Sequence, residues 1–215
     1  MRNDKPPLAD MRVDYKEDVD LDVERLQNGW LPLAQEWLVD AIDASIPEPN
    51  ALVLATVDAD GRPSTRTVLC KGLDADGVVF YTNYDSDKGT QLQRTAYASL
   101  TFPWIGIERQ LTIRGAAEKV SAEMTAEYFA SRPRGSQLGA WASQQSRPIS
   151  SRAALNDALD AVTAKFEGRD VPVPPHWGGF RVRPDTVEFW QGRKSRLHNR
   201  IRFTVATSKV ERLQP

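Results

Sequence analysis

The sequence predicts a mainly β fold of the α+β class, a small antiparallel barrel with helices inserted between its strands. Two observations carry this. Asp58-Ala-Asp-Gly61 and Asp74-Ala-Asp-Gly77 each join strand-length runs, and Asp and Gly tolerate the positive φ that tight turns need. Between and after those runs come segments whose apolar residues recur at helical spacing, too short and too interspersed for a separate helical domain.

Taken in order, residues 1–28 are polar and rich in acids, with few apolar anchors, and read as a mobile N-terminal arm. Residues 29–215 read as a single domain, a length that buries a real core. A helix is expected near 30–45, where Trp30, Leu33, Ala34, Trp37, Leu38, Ala41 and Ile42 share a face, and Pro47 and Pro49 end it. Strands follow at 51–57, 64–71 and 78–82, then a short helix at 87–94 and strands at 98–103 and 109–120. Ser121 is placed to cap a helix over 121–131. The segment 132–146 is polar and reads as irregular. A helix over 151–167 presents Leu155, Ala158, Leu159, Val162 and Phe166, Val171-Pro-Val-Pro-Pro175 is a stiff linker, and strands near 178–190 and 197–205 close the chain.

Composition excludes several functions. Hydrophobic residues make up 40% and charged residues 27%, with a net charge of −1, so no global field recruits nucleic acid or an acidic membrane. The single Cys70 rules out an internal disulfide, and two histidines with one cysteine argue against a metal centre. No apolar leader opens the chain and no 18 apolar residues run together, so a cytoplasmic soluble protein is expected.

Four clusters could carry chemistry. In 196–205, Arg196, His198 and Arg200 alternate with Leu197, Ile201, Phe203 and Val205, the period of a strand with one ionisable face suited to a planar anion. Arg66 and Lys71 share a predicted strand, but alternation sets them on opposite faces; either the strand twists or bulges, or the cations serve different ligands. Tyr81 and Thr82 lead into Ser86 and Lys88 at a helix start, which is either a phosphate seat or an ordinary N-cap. Tyr128, Arg132 and Ser136 offer the forked and hydroxyl donors that phosphate prefers, or else mark an exposed helix end. Gln110, Gln145 and Ser146 are neutral donors and acceptors of the kind a heterocycle's polar edge uses.

Together, in order, these clusters resemble the pyridoxine/pyridoxamine 5′-phosphate oxidase family. The resemblance rests on Arg66–Lys71, Tyr81-Thr82, Phe102-Pro-Trp104, Glu108-Arg-Gln110, Ser131-Arg-Pro-Arg134, Gln137-Leu-Gly-Ala-Trp141, Gln145-Ser146, Trp177-Gly-Gly-Phe-Arg181 and Glu188-Phe-Trp-Gln-Gly192 through Arg200. It implies an FMN-binding split β-barrel with peripheral helices, a homodimer with active sites at the subunit interface, and no metal. The implied reaction is FMN-dependent oxidation of pyridoxine or pyridoxamine 5′-phosphate by oxygen to pyridoxal 5′-phosphate, with hydrogen peroxide and, from the amine, ammonia.

The resemblance also implies residue roles. Arg66, Leu69, Lys71, Tyr81, Thr82, Ser86, Lys88, Gln110, Gln145, Ser146, Trp190 and Arg200 would bind FMN, some from the partner subunit. Lys71, Tyr128, Arg132 and Ser136 would grip the substrate phosphate, with Lys71 between the two phosphates. Arg196 and His198 would flank the substrate ring as catalytic residues, and Arg12 and Tyr15 would close over it. The chain departs from the family at Asp87, where Ser-Arg-Lys is common; an acid there implies weaker FMN binding. The tail after Phe203 is also short and lacks an expected aromatic. The rival readings are a split-barrel reductase using a deazaflavin or nicotinamide partner, and a non-catalytic flavin or pyridoxal-phosphate carrier.

Overall fold

The Asp-Ala-Asp-Gly turns do what their chemistry requires. Strand β1 (Ala51–Val57) reverses into β2 (Pro63–Leu69) with Ala51 opposite Leu69 and Val57 opposite Pro63. Asp58 Oδ1 accepts from the backbone N–H groups of Asp60 (2.9 Å) and Arg62 (2.8 Å), while Gly61 takes φ 78°. The second turn joins β3 (Gly72–Asp74) to β4 (Gly77–Asn83) in the same way, Asp74 Oδ1 accepting from Asp76 N at 2.9 Å. At Gly77, φ is 126° and a Cβ would lie 2.0 Å from the Val182 carbonyl oxygen, so only glycine fits.

This computed structural model describes residues 7–11, 14–15 and 20–215. The remaining strands are β5 (Tyr97–Trp104), β6 (Arg109–Lys119), β7 (Trp177–Gln191), β8 (Asn199–Thr204) and β9 (Lys209–Arg212). The helices are α1 (Leu31–Asp43), α2 (Asp87–Thr95), α3 (Ala122–Ser131), α4 (Arg134–Ala142) and α5 (Arg152–Lys165). The strands that pair by ladder run β2-β1-β5-β6-β7-β4-β3, with β8 between β7 and β9. The chain divides into two compact units, one comprising 50–102 and 113–186, the other the residues up to 49 with 103–112 and 187–215.

In the larger unit, β1 alternates half-buried and buried positions, putting Leu52 and Leu54 inward with Phe80, Leu100, Phe102, Ile113, Phe180 and Val182. Strand β2 approaches β4 without a ladder between them, so the sheet curls into a barrel left open along one seam. A second cluster of Phe129, Leu138, Phe166, Val171 and Trp177 seats α3, α4 and α5 beside the start of β7. Ser86, Ser121 and Ser151 cap α2, α3 and α5, each accepting from the backbone N–H three residues on.

In the smaller unit, α1 buries Leu33, Ala34, Trp37 and Ala41, and Trp37 meets Phe189 edge-on at 5.1 Å. The helix ends through Ser45, which takes φ 55° while Ile46 N returns to Ala41 O, before either proline is reached. Ile42, expected on the apolar face, is 53% exposed. Leu21 and Leu26 are buried, and Arg212 donates to the Leu21 carbonyl at 2.8 Å, so packing begins inside the region read as an arm.

Two expectations are corrected. The segment 134–142, read as irregular, is helix α4; its two glycines and single buried Leu138 leave a faint helical pattern. The alternation through 196–205 holds only within β8, where Asn199, Ile201 and Phe203 are buried. Lys194–Arg196 is instead a turn in which Ser195 (φ 57°) and Arg196 (φ 61°) are both left-handed. Leu197 is accordingly 69% exposed rather than buried.

Candidate active site

The sheet seam of the larger unit opens a cleft of about 670 Å³. Of the residues singled out from the sequence, Arg66, Leu69, Lys71, Tyr81, Thr82, Tyr128, Arg132, Ser136, Lys88 and Gln145 all line it. The cleft thus collects two lysines and two arginines with no carboxylate among its lining residues. Lys71 and Arg66 reach one cleft because the β1–β2 ladder ends at Leu69. Beyond it, Cys70 N turns to Asn50 O and Lys71 N to Val79 O, releasing Lys71 from the strand's alternation.

Arg66 is fixed by neutral acceptors. Its guanidinium donates to Thr56 Oγ1 (2.5 Å), Ser64 Oγ (3.1 Å) and Gln91 Oε1 (3.3 Å), so its charge is oriented but not cancelled. Lys88 is buried, and its Nζ donates to Gln145 Oε1 at 2.9 Å; that oxygen also accepts from Thr82 Oγ1 at 3.1 Å. Burial lowers the pKa of Lys88, as does the nearby Arg66, while Asp87 opposes the shift. Burial lowers that of Arg66 too.

Also lining the cleft, Tyr81 and Tyr128 stack at 4.0 Å, and Trp177 lies nearly parallel to both. Arg132 sits over the Trp177 ring at 4.7 Å, with burial holding its pKa below the usual guanidinium value. Its Nη1 is buried without a hydrogen-bond partner. A buried guanidinium nitrogen without a partner is costly, and the residue that carries it is one of those lining the cleft. Lys71 Nζ stands 6.0 Å from the Tyr128 ring centroid.

Two expected residues of the larger unit do not line the cleft. Ser86 is fully buried, its hydroxyl donating to Asn83 O (2.7 Å) and accepting from Gly89 N, so it works as the α2 cap that aims Lys88. Ser146 lies in the turn after Gln145 at φ 70°. Thr67, Val68, Asn83, Gly139, Ala140, Ser143 and Trp177 line the cleft but were not among the expected site residues. Gly139, Ala140 and Ser143 sit on or beside α4, so recognising Leu138 and Trp141 as an i, i+3 pair would have found those three.

The smaller unit holds a second constellation. Trp190 and His198 lie 4.7 Å apart, and Tyr15 meets them edge-on at 5.8 Å and 5.4 Å. A Cβ at Gly192 would fall 2.9 Å from the Tyr15 ring, so the missing side chain makes Tyr15's seat. Arg193 N donates to His198 Nδ1 at 3.1 Å, which leaves the proton of the neutral ring on Nε2. Burial, then the charge of Arg196, lower the His198 pKa below the imidazole norm. Arg196 is exposed on its left-handed turn. Arg200 pairs with Glu188 through Nε (2.8 Å) and Nη2 (2.7 Å), and Gln110 lies on β6. Arg12 lies outside the described residues. Among the described residues no cluster of His, Cys, Asp or Glu could hold a metal, and no helix is long and apolar enough to cross a membrane.

The seamed antiparallel barrel and its cation-lined cleft define a split-barrel protein equipped for anionic ligands. A family model described as pyridoxamine 5′-phosphate oxidase matches residues 38–166, and one described as the pyridoxine 5′-phosphate oxidase C-terminal dimerisation region matches 177–215. The chain belongs to the pyridoxine/pyridoxamine 5′-phosphate oxidase family. It is 61% identical to the protein of that name from Mycolicibacterium smegmatis, over 97% of this chain and 93% of the relative. It is 59% identical to that from Mycolicibacterium gilvum, over 97% of each. Among solved structures it resembles PhzG from Burkholderia lata, crystallised with tetrahydrophenazine-1-carboxylic acid, at 33% identity and TM-score 0.83 over 92% of this chain and 98% of that one. An FMN-binding, pyridoxamine 5′-phosphate oxidase-related protein from Nostoc punctiforme shares the fold at 18% identity and TM-score 0.66, over 84% of this chain and 97% of that one.

Proposed function

We propose that this protein is an FMN-dependent oxidase converting pyridoxine or pyridoxamine 5′-phosphate to pyridoxal 5′-phosphate, with oxygen as acceptor. The observation that carries it is the cleft itself, which gathers four cations and no carboxylate among its lining residues, enough to receive two phosphates. Arg66 and Lys88 form one group and Arg132, with Tyr128 and Ser136, the other; Lys71 serves both. Arg132 has an unpartnered buried Nη1, and Lys88 hydrogen-bonds only to the neutral Gln145 and Ser86 oxygens, so among the described residues neither cation is bonded to a carboxylate and both can answer a bound anion.

FMN fits the first group and the neutral donors beside it. Arg66 and Lys88 would hold its phosphate, with Leu69, Tyr81, Thr82 and Gln145 along the cleft, while Ser86 acts by capping α2. When bound, FMN supplies the capacity to accept a hydride and pass electrons to oxygen. Gln110, Ser146, Trp190 and Arg200 are assigned to the flavin as well, some of them from the partner subunit. The match of 177–215 to a dimerisation region and the exposure of Leu197 within it support a homodimer with the active site at the subunit interface.

The chain's own residues do the rest. Arg132, Tyr128, Ser136 and Lys71 bind the substrate phosphate and thereby fix its distance from the reacting carbon. His198 and Arg196 flank the pyridine ring; His198 offers the Nε2–H as donor because Arg193 N occupies Nδ1. Tyr15, seated over Gly192, and Arg12 exclude water from that ring. A second phosphate grip, centred on Arg132 and sharing only Lys71 with the flavin's, favours a phosphorylated substrate over an aromatic acid such as the PhzG ligand.

The test is an absorption spectrum of the purified protein followed by anaerobic addition of pyridoxine 5′-phosphate. A flavin band that bleaches and returns with air is expected. A colourless protein, or a flavin band indifferent to the substrate, would overturn the proposal.

A further inference from the structure

Asp87 is an anion where the proposed function needs cations. It opens α2 between the Ser86 cap and Lys88, and its charge acts on both Arg66 and Lys88. A carboxylate there competes with a bound phosphate for the same two cations and repels it directly.

A second residue answers that charge. Arg147 Nη2 donates to the Asp85 carbonyl at 2.7 Å, and Nη1 stands 3.7 Å from Asp87 Oδ1. The turn that delivers it is well defined: Arg147 N donates to Gln144 O at 3.0 Å and Ser146 is left-handed. Two residues earlier, Gln145 Oε1 receives Lys88 Nζ at 2.9 Å. One short loop after α4 therefore carries both the group that holds Lys88 and the group that holds Asp87. Arg147 is half exposed and lines no part of the main cleft, so it touches the phosphate seat only through Asp87 and Asp85.

We propose that Arg147 is a positioning residue for the FMN phosphate, holding the Asp87 carboxylate and offsetting its charge so that Arg66 and Lys88 remain available to the ligand. The inference rests on the assignment of FMN to that seat. It also explains how the chain accommodates an acid at the opening of α2, since the countercharge comes from a different element.

The test compares the affinity of the whole protein for FMN and for riboflavin, which lacks the phosphate, by flavin fluorescence at low ionic strength. Arg147→Ala should weaken FMN roughly two- to fivefold, the range of exposed ion pairs, and leave riboflavin unchanged. Arg147→Lys should restore most of the affinity. Asp87→Asn should tighten FMN, and in that background Arg147→Ala should have no further effect. Equal weakening of FMN and riboflavin, or a full Arg147→Ala effect in the Asp87→Asn background, would overturn the proposal. A wild-type protein that binds FMN no better than riboflavin would instead overturn the assignment of FMN to the seat, and this inference with it.

Discussion

His198 is defined by what occupies its Nδ1. The Arg193 amide takes Nδ1, so protonating the ring would set two donors against each other, and Arg196 adds a like charge. Both effects favour the neutral ring. We therefore expect His198 to titrate below the ordinary value of 6.5, and Arg196→Ala to move it upward by removing the neighbouring cation. With only two histidines in the chain, imidazole NMR separates them; a His198 that titrates at or above 6.5 would count against the assigned tautomer. In turnover, Arg196→Ala should cost far more than it costs in flavin content, because Arg196 is given to the substrate side. These residues were legible in the sequence as ionisable groups beside Trp190, but their geometry was not. Spacing of two suggested a strand, whereas Ser195 and Arg196 adopt left-handed backbone that no residue type there announces.

Elements were most legible where a side chain dictates the backbone. Both Asp-Ala-Asp-Gly turns and the serine caps of α2, α3 and α5 follow from the local hydrogen bonds those residues make. Helix α4 escaped because its stability comes from Leu138 entering a cluster with Phe129, Phe166 and Trp177, a tertiary gain invisible in a Gly-containing stretch. The placement of α2 turns on a close approach. A Cβ at Gly89 would lie 2.3 Å from the Tyr84 carbonyl oxygen and 2.7 Å from that of Asn83. Gly89→Ala should therefore push α2 away from the end of β4, costing about 1–3 kcal/mol and carrying Lys88 with it. A lowered melting temperature together with weaker FMN retention is expected; unchanged values of both would show that the helix does not need the contact.

At the scale of the whole molecule, most of what the sequence offers is sign and order. A net charge of −1 denies the chain any long-range attraction for anions, so the cleft's local excess of cations has to do that work alone. What no single chain reveals is which surfaces meet a second copy, since a dimer face and a solvent face obey the same alternation. The proposed homodimer predicts elution at twice the 24.1 kDa chain mass, with turnover falling on dilution as the dimer separates. A monomer with undiminished turnover would sink it.

Cys70 is the chain's one thiol, it is buried where β2 ends, and burial pushes its pKa to about 11. The folded protein should therefore react only slowly with maleimides and other thiol reagents, without any mutation to make it so. One cysteine placed at Leu8, which is 86% exposed, would accept a single fluorophore or spin label. The N-terminal segment that carries Tyr15 could then be followed, substrate by substrate, in an otherwise native background.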